Sequence, residues 1–275
     1  MEHLEVIFFW SAFLLYGGAF VLFFYHLLAK RASLNRLAVV AVVVAWLAQG
    51  VSLVLRGIDA GHVPVVGAYE SLSLAAWFIV LVYIALELRT RVRAVGLYVM
   101  PIVWVFLGVA WMHYHAPGRL LPVLKSDLVA VHVVVIFTAL AAFVLAAGAA
   151  ALYVVEEWQL KRRGFDAVLG RLPSLDTLDK LTYHAILFGL PFLSMGIVAG
   201  VIRAEKWAVQ DWYFDPLVIL AVVAWFIYAA FLWGRLVAGW RGRRSAYVAL
   251  LGLVCLLFIR FVGVPFLSTF HKYGS

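Results

Sequence analysis

The chain has 275 residues, of which 66% are hydrophobic and only 13% charged, and its mean hydropathy is +1.03. A soluble domain of this length carries about twice that charged fraction, so these proportions exclude one and require an integral membrane protein. The net charge of +8 does not point to nucleic acid, because the basic residues fall in short clusters between apolar runs, where they orient the chain and meet lipid headgroups.

The single cysteine, Cys255, lies inside an apolar run. That excludes a disulfide framework, a two-cysteine redox pair and a C-x-x-C-H haem attachment site. The opening MEHLEV has no basic region and no small-residue cleavage site before Lys30, so the first apolar run is expected to stay as a helix and not to be removed as a signal peptide.

A helix needs about 20 apolar residues to cross a bilayer core. Eight runs reach that length, over roughly 5–28, 35–56, 68–88, 95–112, 128–154, 180–203, 214–238 and 246–268. The expected fold class is therefore all-α, a polytopic protein with eight transmembrane helices in a single membrane domain, 1–275.

In chain order, the first run ends at Lys30, Arg31 and Arg36. The second closes at Arg56, before an outer turn containing His62 and Glu70. The third ends at Arg89, Arg91 and Arg93, and the fourth leaves the membrane at HYHAP, with His113 and His115. The fifth carries His132 about one and a half turns past Ser126. The basic linker that follows, 157–178, has Phe165, Val168, Leu169, Leu172 and Leu175 at helical spacing, which predicts an amphipathic helix in the interface. The sixth run ends at Arg203, before an outer aromatic loop over 204–213 and the stretch DWYFDP. The seventh ends at Arg235, with Arg241, Arg243 and Arg244 just beyond. The eighth holds Arg260 and leads to His271.

Four alternate linkers hold fifteen of the 22 Lys and Arg residues. Basic linkers stay in the cytoplasm, so both termini and DWYFDP are expected on the outer side of a cell membrane that the protein crosses many times.

Of the eight histidines, His3, His62, His113, His115, His132 and His271 fall on or near that outer side. Imidazole is the commonest protein ligand for metals and haem iron. No H-E-x-x-H or other compact metal motif is present, which argues against a zinc enzyme. If the fifth and eighth spans pack together, His132 and His271 can hold one flat ligand between them, as two neutral imidazoles hold haem iron; His113 or His115 can replace either. Arg260 lies roughly 12 Å inside the eighth span. At that depth it pairs within the bundle, snorkels to the surface or meets a ligand carboxylate. Arg56 and Arg203, at outer helix ends, can do the same, with Glu70 as a candidate partner for one of them. Asp215 reads as a brace for its loop. Trp111 fits an ordinary interfacial aromatic belt.

Several stretches carry a resemblance. LLPVLKSDLVAVHV (120–133), LPSLDTLDKLTYHAILFGLPFLSMGIVAG (172–200), WFIYAAFLWGRLVAGWRGRRSA (225–246), FLSTFHKY (266–273) and PVVGAYESL (64–72) together resemble the CcsA/CcmC-type cytochrome c assembly proteins over most of the chain. The resemblance implies a protein that holds haem b non-covalently near the outer membrane face. It implies His132 and His271 as the iron ligands, and a cradle made by the stretch from Trp207 through Trp212, Phe214 and Asp215. Arg56, Arg203 and Arg260 would then meet propionates. The chain departs from the family pattern W-G-x-x-W-x-W-D-P-K-E, with Phe214 where a second tryptophan is usual and Leu217 and Val218 where Lys-Glu is usual. Trp233 stands where the following helix carries an internal histidine. Those departures are similar to a HemX-like branch, which implies control of haem synthesis through the level of glutamyl-tRNA reductase. The partners implied are haem, the lipid bilayer and either a cytochrome c assembly protein or a haem-biosynthesis enzyme. The acid, base and nucleophile constellations of an enzyme are not found, so no catalysis is expected; a lyase-type role in cytochrome c assembly stays open.

Overall fold

Backbone polar groups have no water to bond inside a bilayer, so an apolar run that crosses it must satisfy them internally as a helix. The computed structural model, which describes residues 2–29, 31–65, 67–90, 95–115, 127–161, 173–206 and 211–262, is helical throughout its regular parts, with no strand among the described residues. The helices are α1 (Glu2–Ala29), α2 (Ala32–Ala60), α3 (Ala68–Thr90), α4 (Val95–Met112), α5 (Asp127–Lys161), α6 (Leu175–Lys206), α7 (Pro216–Leu236) and α8 (Arg243–Phe258). A π-helical turn extends α8 over 259–262. Eight described helices are long and apolar enough to cross a membrane, as the hydropathy pattern predicts.

Two helices run past their apolar stretches. α5 continues to Lys161 and α6 starts at Leu175, because charged helix ends that leave the bilayer are stabilised by pairs one turn apart. Lys161 Nζ is 2.7 Å from Glu157 Oε1, and Lys180 Nζ is 2.6 Å from Asp176 Oδ2. Ser174 Oγ accepts the Thr177 N–H at 3.3 Å and so caps the start of α6. Half of the amphipathic segment expected over 157–178, residues 162–172, lies outside the described residues, and its two edges are these helix ends. Residues 207–210 of the aromatic loop, with Trp207, and the segment holding His271 also lie outside them.

The helices divide into two compact units. The first contains α1–α4, with α1 packed along α2 and α4, and α3 packed against α4 and α2. Its core is aromatic, with Phe9, Tyr16, Tyr69, Tyr83 and Phe106 buried. Tyr16, Gln49 and Ser73 pair across three of its helices. The Tyr16 hydroxyl donates to Gln49 Oε1 at 2.9 Å, and Gln49 Nε2 donates to the Ser73 carbonyl at 2.8 Å.

The second unit contains α5–α8. α5 packs most extensively on α6 and also on α8, and α7 packs on α8 and α6. The alanines of α5, including Ala139, Ala142, Ala146 and Ala150, are buried and let neighbouring helices approach closely. Phe143 of α5 and Tyr228 of α7 stack face to face with centroids 3.7 Å apart. Where α7 turns into α8, Asp179 of α6 holds the turn. Its Oδ2 lies 2.6 Å from Arg235 Nη2, and its Oδ1 accepts the Gly242 N–H at 2.8 Å. Gly242 has φ +68°, and a Cβ there would press on the Tyr153 hydroxyl, so both the turn and the packing demand glycine.

Candidate functional site

His132 stands on the second turn of α5, facing α6. Its ring lies over the step Gly196 to Gly200 of the sequence GIVAG. Nδ1 is 2.8 Å from the Gly196 carbonyl oxygen, and the place a Cβ would occupy on Gly200 is 3.2 Å from the ring Cε1. A carbonyl oxygen only accepts, so in the neutral ring Nδ1 carries the proton and Nε2 the lone pair. That is the tautomer that can bind a metal centre, and the half-buried imidazole therefore fits an axial ligand of haem iron.

Arg203 follows on the same face of α6, three residues after Gly200. It is 7% exposed and close enough for its charge to act on the His132 ring. Two residues further, Glu205 Oε1 accepts the Trp212 Nε1–H at 2.9 Å, which ties the aromatic loop to the end of α6. Asp211 sits in the left-handed region at φ +55°, and residues Trp212–Phe214 form a single 3-10 turn. Tyr213 donates its hydroxyl to Asp211 Oδ1 at 3.1 Å; this bond, and then the carboxylate's charge, push the phenol above its ordinary pKa. Asp215 is buried and caps α7, accepting the Leu217 N–H at 2.8 Å, with Pro216 at the first helical position. Tyr213 and Phe214 point outward, 53% and 69% exposed. Arg260 lies in the π-helical turn at the end of α8, and turns of this kind often mark functional positions.

The structure therefore brings His132, Arg203 and the Trp212–Asp215 turn to helix ends of the second unit. It places Arg56, His113 and His115 in the first. Arg56 is 1% exposed, with Nε 3.0 Å from Glu70 Oε1 and Nη1 3.8 Å from Glu5 Oε2. Tyr69 donates its hydroxyl to Glu5 Oε1 at 3.0 Å, and the rings of Tyr69 and Tyr114 lie 5.1 and 5.7 Å from the Arg56 guanidinium carbon. The Arg56–Glu70 pair is the one anticipated from the outer turn. Glu5 was not anticipated, because 51 residues separate it from Arg56 and nothing local connects them. His113 and His115 follow α4 beside this cluster's Tyr114. Their Nδ1 atoms lie 3.0 Å from the Val109 carbonyl and 2.8 Å from the His113 carbonyl, and the His115 ring packs against Gly67. No group of three or more His, Cys, Asp or Glu residues able to hold a metal ion occurs among the described residues.

Trp233, where the family pattern has a histidine, is 60% exposed on the face of α7 away from its packed neighbours. The GIVAG step was the signal missed in the sequence, since two glycines one turn apart mark a close helix contact.

Comparison with known proteins gives a consistent result. The model of the family described as Cytochrome C assembly protein matches residues 65–271. The chain is similar to a protein from Guillardia theta named Cytochrome c biogenesis protein CcsA, at 32% identity over 240 residues, which cover 80% of this chain and 79% of the relative. Proteins of the same name from Gloeobacter violaceus (29% identity; 88% of this chain and 87% of the relative) and Prochlorococcus marinus (31%; 82% and 79%) are similar across comparable shares. The family match spans three quarters of the sequence and includes both the His132 segment and the aromatic loop, so this chain belongs to the cytochrome c assembly protein family.

Proposed function

We propose that this chain handles haem for cytochrome c assembly, holding haem b without a covalent bond near the outer face of the cell membrane. The family membership carries the reading. At the residue level, the fixed tautomer of His132 supports it, because it leaves Nε2 available to iron. His271 is the proposed second ligand, with His113 or His115 as substitutes. Trp207, Trp212, Phe214 and Asp215 form the proposed cradle, Asp215 by holding its geometry. Arg203 and Arg260 are proposed to meet the propionates. Arg56 belongs to the same proposal only if a propionate shares it with Glu70. Bound haem would supply the iron and the vinyl groups that cytochrome assembly consumes; the chain's own part is to bind, orient and shield. With both termini outside, the basic turns face the cytoplasm.

A second reading is favoured by one observation. Trp233 replaces the internal histidine and faces away from the bundle, so this face of α7 offers no second imidazole. A HemX-like regulator of glutamyl-tRNA reductase would need only the outer haem and a cytoplasmic surface such as 157–178. Deletion of the gene in its own host separates the two. Loss of covalently haem-stained c-type cytochromes, with unchanged glutamyl-tRNA reductase, supports assembly. A rise in glutamyl-tRNA reductase with normal cytochromes supports regulation and overturns the first reading.

A further inference from the structure

The contact of His132 with α6 is unlike that of the other described histidines with an assigned ring bond. His26, His62, His113, His115 and His184 place Nδ1 on a carbonyl within five residues of themselves, whereas His132 reaches a carbonyl 64 residues away on another helix. Inside α6 the Gly196 carbonyl already accepts the N–H four residues on, from Gly200. A second donor can reach such a carbonyl only from the side, across the surface where residue 200 would carry its side chain. A Cβ on Gly200 would stand 3.2 Å from Cε1 and 3.4 Å from Nδ1, tighter than ordinary contact, so the ring would have to back away from the carbonyl. One turn along, Ile136 of α5 fills the space that a Cβ on Gly196 would need. His132 and Ile136 thus occupy successive notches of one helix face. The first notch offers a hydrogen-bond acceptor and the second only apolar packing.

We infer that the Gly196–Gly200 step is a built seat for His132, and that Gly200 is a positioning residue. By leaving the Gly196 carbonyl open, it fixes the ring plane and puts the proton on Nδ1 before any ligand arrives. The seat stands on this geometry alone. Its consequence for a haem iron rests on the reading above: with the proton held on Nδ1, the neutral ring keeps its Nε2 lone pair for iron, and the shared acceptor keeps the Nδ1 bond weak.

The test is nitrogen NMR of the full chain in lipid nanodiscs, haem-free, with labelled histidine and His132→Gln to assign the ring. The seat predicts that His132 carries its proton on Nδ1 in the haem-free protein. It also predicts that Gly200→Ala shifts this resonance toward the opposite tautomer and weakens haemin binding roughly fivefold, as expected for one lost neutral hydrogen bond. An Nε2-protonated ring in the unsubstituted protein overturns the seat, and does so even if Gly200→Ala does not fold. A Gly200→Ala spectrum identical to the unsubstituted one also overturns it. Haemin added to the same sample should perturb the His132 resonances strongly; if they stay unchanged, the haem reading fails while the seat stands.

Discussion

Arg56 shows what one buried charge requires. Removing either partner of a buried ion pair strands the other charge, at a cost of about 3–5 kcal/mol, whereas an exposed pair one turn apart contributes about 0.3–0.5 kcal/mol. Glu70→Gln, which removes the nearer of the two carboxylates beside Arg56 and leaves Glu5 at 3.8 Å, is therefore expected to lower the thermal midpoint in detergent by several degrees. Glu157→Gln, which breaks the pair with the exposed Lys161, should leave it nearly unchanged. Equal midpoints for the two variants would contradict the account. Asp215 is a second case. Asp215→Ala removes the cap of α7 and should cost about 1 kcal/mol, with the indole fluorescence of Trp212 reporting a loosened turn. Residue types and helix-end positions were enough to nominate Arg56 with Glu70 and to assign Asp215 a bracing role. Glu5 and the acceptor for His132 were not legible, because they are joined to their partners only by the way helices pack.

At the scale of the element, an apolar run identifies a helix well because the bilayer tolerates no alternative backbone. It locates the ends less well. The runs stop at the first charges, but α5 and α6 continue through Glu157, Lys161, Asp176 and Lys180, whose pairing one turn apart supports a helix already in water. The turn between α7 and α8 shows a different limit. WRGRRS reads as a basic linker, yet Asp179 fixes it through Arg235 and the Gly242 N–H, and the Arg235 Nη1–H also donates to the Trp240 carbonyl at 3.1 Å. Asp179→Ala should open that turn and speed proteolysis after Arg241 and Arg243 severalfold, with no change in haemin binding at the other end of the unit. Unchanged cleavage would show that the turn holds without Asp179.

For the whole molecule, the eight described helices long and apolar enough to cross a membrane make an even number of crossings, and the distribution of basic residues is the basis for the proposal that both termini lie on the outer side. The proposed orientation puts the His132 end of α5, the Arg203 end of α6 and the Trp212–Asp215 turn on the outer side, where the proposed haem site lies. Hydropathy made the span count legible. The second ligand was not legible from geometry, because it depends on how residues far apart in the chain meet. The central claim is tested most directly by the absorption spectrum of the detergent-purified protein, oxidised and reduced, beside His132→Ala and His271→Ala. The account predicts a sharp bis-histidine haem b spectrum that each substitution abolishes or converts to a five-coordinate form. A protein that is colourless and takes up no added haemin, or a spectrum indifferent to His132→Ala, would contradict it.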